Sequence, residues 1–212
     1  MKVGVIDYGV GNLGSVLRAV EELRETPVLV NRAIDMHATD CLVLPGVGNF
    51  TDCMNMLEAG GWVAALHDEI QGYNRPLLGI CVGMQLLADR GFEGAESPEG
   101  VSGLGFVPGE VVHLKTLGCQ NRIPHVGWNG ICCPNRPEFL FNGIPDQTDF
   151  YFVHSYAFIP NDESDRIATV DYGIQVTAAV GRGRVWGTQF HPEKSSRAGF
   201  QLLRNFFEGQ QC

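Results

Sequence analysis

The sequence predicts an α/β fold: a mostly parallel central sheet flanked by helices, with an additional antiparallel strand region in the second half. Three observations predict it. In the first half, short apolar runs alternate with stretches of helical periodicity, the mark of parallel strands covered on both faces. In the second half, strand-like segments follow one another with turn residues between them and few helical signals. Many of the 27 glycines sit just after apolar runs, where the strands of such a sheet pass into tight functional turns.

Residues 2–7 form the first expected strand. A glycine turn leads into a helix over 13–24, where Leu13, Val16, Leu17, Val20 and Leu23 recur at helical spacing. Strands are expected at 27–30 and at 41–44, the second closed by Pro45-Gly46. Helices are expected at 50–57 and 63–71, then an apolar strand at 76–80 and a helix at 82–89. The later strand-like segments are 101–106, 110–114, 150–158, 166–170, 174–180 and 185–190. A closing amphipathic helix fits 198–207, with Phe200, Leu203, Phe206 and Phe207 on its inner side. The stretch 91–100 reads as an acidic surface loop. No repeat or low-complexity linker divides the chain, so one domain over 1–212 is expected.

Composition narrows the function classes. A chain of 212 residues buries roughly 70 % of the surface it exposes when unfolded, so it needs no disulfide or metal staple. With 44 % hydrophobic and 18 % charged residues it is neither a disordered tail nor a coiled coil. The 24 acidic residues outnumber 15 basic ones, and the net charge of −9 argues against broad contact with nucleic-acid phosphates. No apolar run is long enough to span a bilayer, and the N-terminus meets Asp7 and glycines too early for a signal peptide. A cytoplasmic protein with no membrane contact is expected. The cysteines Cys41, Cys53, Cys81, Cys119, Cys132, Cys133 and Cys212 are odd in number and lack a C-x-x-C pair, so reduced thiols are expected.

The segment Gly79-Ile80-Cys81-Val82-Gly83 has the form G-x-nucleophile-x-G between an apolar strand and a helix. Such an elbow needs a sharp turn, which glycines on either side permit. It sets the thiol at a helix N-terminus, where free N–H groups favour thiolate, and it makes the Val82 N–H an oxyanion donor. A buried packing cysteine is the alternative at this point. His191, in Gln189-Phe190-His191-Pro192-Glu193, lies at the end of the last expected strand, which Pro192 terminates. Glu193 can hold one imidazole nitrogen while the other serves Cys81, a nucleophile–base–orienter order. Pro45-Gly46-Val47-Gly48 ends a neighbouring strand and offers a second oxyanion amide at the same sheet edge.

Other chemistries fit less well. Gly9-Val10-Gly11-Asn12-Leu13-Gly14 is a formal dinucleotide fingerprint, but the second strand ends in Asn31-Arg32 without the acidic residue that binds a ribose. Cys119, Cys132 and Cys133 with His113 and His125 lack standard metal spacing, so no metal site is expected. Another thiol hydrolase, such as a cysteine peptidase, would keep the fold, and a non-enzymatic binding module would not need the intact Cys81, His191 and Glu193 set.

Taken together, the elbow through Gln85 and the run Phe190-His191-Pro192-Glu193-Lys194-Ser195 resemble the two signatures of the triad (class I) glutamine amidotransferases. Asp7-Tyr8-Gly9-Val10-Gly11-Asn12-Leu13, Leu44-Pro45-Gly46-Val47-Gly48, Pro124-His125-Val126-Gly127-Trp128-Asn129 and Tyr151-Phe152-Val153-His154-Ser155-Tyr156 are similar to segments of the glutaminase subunits of imidazole glycerol phosphate synthases. The resemblance covers essentially the whole chain. It implies a flavodoxin-like sheet and a Cys81–His191–Glu193 triad that hydrolyses glutamine through a thioester, with Val82 and an amide of Val47 or Gly48 holding the oxyanion. It further implies that Gly46, Gly48, Gln85, His154 and Ser155 hold the substrate. Asn12, Ser15 and Lys194 would face a partner, a (β/α)8-barrel cyclase that receives ammonia in a heterodimer. No metal or organic cofactor is implied. Related glutaminases feed other synthases, such as one amidating a surface-polysaccharide sugar. The 91–100 loop and Cys132-Cys133-Pro134-Asn135-Arg136-Pro137 are less typical and leave that acceptor open.

Overall fold

The computed structural model describes residues 1–133 and 139–209. Four of the atypical residues, 134–137, and Cys212 therefore lie outside the described residues. Strands β1 (Lys2–Ile6), β2 (Thr26–Val30), β3 (Cys41–Gly46) and β4 (Leu77–Cys81) follow the expected runs. Both β3 and β4 are buried along their whole length, which is why they read as unbroken apolar segments. Helix α1 (Leu13–Glu22) follows β1, and α2 (Phe50–Ala59) and α3 (Trp62–His67) connect β3 to β4. Helix α4 (Val82–Gln85) springs directly from β4.

The second half begins with two short strands, β5 (Arg90–Gly91) and β6 (Val101–Ser102). Then come β7 (Gly109–His113), β8 (His125–Cys132), β9 (Asp149–His154) and β10 (Tyr156–Pro160). β11 (Arg166–Asp171), β12 (Gln175–Arg182), β13 (Val185–Thr188) and helix α5 (Ser196–Glu208) complete the chain. Among the described residues one sheet has nine strands in the order β2-β1-β3-β4-β13-β12-β11-β8-β9, and a second has four in the order β10-β7-β5-β6. The strands from β2 to β13 in the large sheet pair in parallel, and from β13 to β9 they pair antiparallel. This is the mixed architecture expected from the sequence.

Several elements differ from expectation for identifiable reasons. The 82–89 helix stops at Gln85 because Leu87 and Ala88 bond back three residues, to Met84 and Gln85. The carbonyls of Leu86 and Ala88 then accept from Leu104 and Gly105, which leaves only Val101–Ser102 of the 101–106 strand. The 63–71 helix ends at His67 and widens into a π-turn over Asp68–Gly72, where buried Glu69 pairs with Arg75. The expected strand 150–158 is two strands in different sheets. It breaks at Ser155, whose carbonyl accepts the Leu114 N–H at the end of β7. Strand β8 was not anticipated at all. On α5, Leu202, Leu203, Phe206 and Phe207 are buried, whereas Phe200 is only partly so.

Phe150, Phe152, Phe190, Phe206 and Phe207 are all at most 1 % exposed and pack α5 against the sheet. Each such ring contributes about 1.5–3 kcal/mol by leaving water. This core fixes the carboxyl edge of the parallel strands. There the register pairs Gly46 of β3 with Cys81 of β4, so the glycine loop after β3 lies beside the elbow.

Candidate active site

Cys81 has φ 57 and ψ −113. That backbone region costs a non-glycine residue of order 1–3 kcal/mol and persists only where its surroundings enforce it. The enforcement is visible in the flanking glycines. A Cβ on Gly83 would stand 1.8 Å from the Leu44 carbonyl oxygen, and one on Gly79 would stand 2.5 Å from the Gly83 carbonyl oxygen. The backbones of β3, β4 and α4 therefore touch directly, and the turn thrusts Cys81 to the sheet edge. Although the residue is only 5 % exposed, it lines a cavity of about 380 Å³.

His191 reaches the same cavity from beyond β13. Its N–H donates to Tyr151 O at 3.0 Å, and its carbonyl accepts the Ser195 hydroxyl at 2.6 Å. Ser195 Oγ also accepts the Tyr151 N–H at 3.1 Å, so one buried hydroxyl ties the histidine turn to β9. Glu193 Oε1 lies 2.8 Å from His191 Nδ1, and the two side chains are 1 % and 3 % exposed. Burial disfavours the imidazolium. Hydrogen bonds from Cys81 and Glu193, with their charges, outweigh it and push the His191 pKa up to about 9. The imidazole thus holds its proton through the neutral range.

Val82, Val47 and Gly48 line the cavity together with Cys81. Val82 is the first residue of α4, so its N–H has no acceptor within the helix. The Val47 carbonyl accepts from Cys53 Sγ at 3.5 Å, and because the peptide is planar and trans, the Gly48 N–H points away from α2. Gly48 has φ 103, a conformation suited to glycine. Both Val47 and Gly48 line the cavity.

His154, Ser155 and Lys194 also line it. Gln85 and Gly46 do not. Gln85 is buried behind the sulfur, donating to Tyr156 O at 3.2 Å and to Gln189 Oε1 at 2.9 Å. Gly46 packs under the elbow, where a Cβ would meet Gly83 N at 2.6 Å. Asn12 makes no side-chain cap on α1; its Nδ2 lies 3.4 Å from Glu193 Oε1. Ser15 is half-buried and accepts from Arg18 at 3.4 Å, while exposed Lys194 sits 6.0 Å from the Tyr151 ring.

Three lining residues escaped the sequence reading: Glu93, Pro124 and Val153. Glu93 lies in the stretch read as a surface loop. Its carbonyl accepts both the N–H and the hydroxyl of Thr51, which folds the loop onto the start of α2 and brings Glu93 to the cavity wall; burial raises its carboxyl's pKa, against a backbone hydrogen bond from Phe50. Only the acidity of the loop could have signalled it. Within the Gly9–Gly14 turn, Gly11 packs closely on Pro45, where an added Cβ would stand 3.3 Å from the ring. Among the described residues no group of three His, Cys, Asp or Glu could hold a metal ion. Cys41, Cys53, Cys81, Cys119 and Cys132 are thiols outside any disulfide.

Residues 4–209 match the family model for class-I glutamine amidotransferases. Imidazole glycerol phosphate synthase subunit HisH of Moorella thermoacetica is 44 % identical over 206 residues, covering 97 % of this chain and 94 % of that protein. Subunit HisH 1 of Prochlorococcus marinus is 43 % identical over 211 residues, covering 98 % and 97 %. Among solved structures, PurLQS from Thermotoga maritima superposes with TM-score 0.74 at 15 % identity, covering 98 % of each chain. A glutamine amidotransferase from Thermotoga maritima gives 0.67 at 17 %, covering 99 % of this chain and 97 % of that one. These two share the fold.

Proposed function

This chain belongs to the class-I glutamine amidotransferases, and from that premise we infer that it is the glutaminase subunit of an imidazole glycerol phosphate synthase, acting in histidine biosynthesis. One observation carries the chemical reading: a buried imidazole is held by Glu193 and lines the same cavity as Cys81.

The Cys81 thiolate attacks the side-chain amide carbon of glutamine, and the amide oxygen becomes an oxyanion held by the Val82 and Gly48 N–H groups. One such donor is worth roughly 10²–10³ in turnover. Collapse of the intermediate breaks the C–N bond while the His191 imidazolium gives its proton to the departing nitrogen, so ammonia leaves and a thioester remains. Neutral His191 then takes a proton from water, which attacks the thioester. The thiolate is expelled as glutamate forms, and the proton stays on His191. Glu193 orients the ring throughout. In this reading the Glu93 carboxylate pairs with the α-ammonium of the substrate, and His154, Ser155 and Gly48, which line the same cavity, complete the wall.

Ammonia released into water would be protonated and lost. A cyclase subunit docked over the cavity, a (β/α)8 barrel in our reading, would receive it instead. Support comes from the exposed apolar face beside the mouth, where Val126 and Trp128 of β8 and Val153 of β9 are 54 %, 50 % and 37 % exposed. In this reading Asn12, Ser15 and Lys194 face the same partner.

The test reconstitutes the chain with its cyclase. Cys81→Ala should abolish synthesis of imidazole glycerol phosphate from glutamine while leaving synthesis from ammonium salts intact. Loss of both activities would refute the division of labour. Failure to support the cyclase, alongside activity with a sugar-amidating synthase, would transfer the ammonia to that acceptor.

A further inference from the structure

Gln189 is wholly buried, lies two residues before His191 on the same extended segment, and had no role in the mechanism above. Its Nε2 is 3.9 Å from Cys81 Sγ. Which way its amide faces decides what it does there, and the hydrogen-bond chain behind it settles the matter. Gln85 contacts the Tyr156 carbonyl, which can only accept. Gln85 must therefore present Nε2, not Oε1, to that carbonyl. The same nitrogen lies 2.9 Å from Gln189, so Gln189 must answer with its oxygen. A flip of either amide would set acceptor against acceptor or donor against donor. Gln189 is left with its N–H groups toward the sulfur.

A second observation agrees. Gln85 Oε1 is buried without a hydrogen-bond partner. A buried amide gives up its oxygen's partner only when its orientation is dictated otherwise, here by two acceptors for its two N–H groups. On its other side the Cys81 sulfur faces the Val153 carbonyl at 3.9 Å, an acceptor that favours the protonated thiol. Gln189 offers that same sulfur a donor, which favours the charged form.

We propose that Gln189 is a catalytic residue of this site, donating an N–H to the Cys81 sulfur to stabilise the thiolate nucleophile, and that Gln85 is the positioning residue that aims it. The proposal rests on the glutaminase reading for its consequence but not for its test. The distance is long for a neutral thiol, and a negative sulfur strengthens such a bond; contacts of this kind often tighten only once substrate is bound.

The test is the pH dependence of Cys81 alkylation by iodoacetamide, followed by mass spectrometry of the Cys81 peptide so that the other thiols do not contribute. Replacing the donor by an apolar group in Gln189→Leu should move the midpoint up by about one pH unit and lower kcat for glutamine roughly 10- to 100-fold, with KM within about twofold. Gln189→Glu keeps the volume but sets a carboxylate against the sulfur, so its midpoint should rise further. Gln85→Leu should raise it less, because Gln189 remains but is no longer aimed. A role in packing alone would lower the thermal midpoint and leave the alkylation profile in place. An unshifted midpoint in folded Gln189→Leu overturns the proposal, and if that variant does not fold, an unshifted midpoint in Gln189→Glu does so. Alkylation needs no glutamine, so a wild-type protein that fails to hydrolyse glutamine would overturn the glutaminase reading and leave this measurement intact.

Discussion

Glu193 Oε1 accepts from two donors at once, His191 Nδ1 at 2.8 Å and Asn12 Nδ2 at 3.4 Å, while its Oε2 is buried with no partner. The carboxylate's charge is therefore balanced almost wholly by the imidazolium. A neutral amide in its place would keep the shape and lose that balance.

Glu193→Gln should accordingly lower the His191 pKa and free the ring to adopt the wrong tautomer. A loss of roughly 10²–10⁴ in kcat is expected, with KM little changed. Steady-state glutamine hydrolysis by the partnered subunit measures this. A variant within threefold of wild type would show that the carboxylate does not orient the base.

The raised His191 pKa also sets an alkaline limit. A histidine whose folded pKa of about 9 exceeds its unfolded value of 6.5 contributes stability that is fully present below pH 6.5 and is lost as pH rises through 9. The same deprotonation removes the proton needed by the leaving nitrogen. Activity on glutamine, as kcat/KM, should fall above about pH 9, and a pH titration of the imidazole by NMR should give a matching midpoint. A titration midpoint near 6.5 would mean that Cys81 and Glu193 do not hold the ring as described.

Two glycines at the elbow and its neighbouring loop separate packing from catalysis. Gly83→Ala places a Cβ 1.8 Å from a backbone oxygen of β3, which neither strand nor helix can yield without opening the sheet edge. Gly48→Ala meets nothing within 4 Å but must adopt φ 103. The first change should prevent folding or cost well over 4 kcal/mol, the upper range for single substitutions. The second should cost about 1–3 kcal/mol of strain while cutting turnover through a displaced oxyanion amide. Urea unfolding of the two variants distinguishes them, and equal stabilities would contradict the contact geometry.

The sequence made the nucleophile turn legible because everything that builds it is local: an apolar strand, two glycines and a helix start within a few residues. Strands β3 and β4 were legible for a similar reason, since burial along their whole length leaves no polar residue inside them. What stayed hidden depends on partners far along the chain. Glu93 faces the cavity only because Thr51 captures its carbonyl. The break at Ser155 is invisible in a run of alternating aromatic residues, because the group that creates it is the Leu114 N–H. Strand β8 carries Gly127, Asn129 and Gly130, poor strand formers, and exists because β9 pairs along it and because Phe152 and Tyr172 stack on His125. Gln85 and Gln189 share this difficulty, since an amide's direction is set by its neighbours and not by its identity.

His125 and its neighbour His154 make the last prediction. His154 Nδ1–H donates to Tyr156 O at 2.8 Å, so its Nε2 must accept from His125 Nδ1–H at 2.9 Å. A proton on His154 Nε2 would set donor against donor, whereas His125 turns its own Nε2 to Asn129 Oδ1 at 2.9 Å, an acceptor that works against the effect of burial on that ring. Burial lowers the His154 pKa to about 3, and burial also lowers that of His125. Since the unfolded chain takes up protons near pH 6.5 and the folded one does not, this stability is present above 6.5 and is lost as pH falls toward 3. Each such histidine contributes a slope of up to about 1.4 kcal/mol per pH unit. His154→Gln can still accept from His125 and donate to Tyr156 without titrating. Urea unfolding at pH 7 and pH 4.5 should therefore show the variant losing less stability on acidification than the wild type, whatever its stability at pH 7. Equal losses in the two proteins would mean that the buried pair accepts its proton without penalty, and that the hydrogen-bond direction assigned here is wrong.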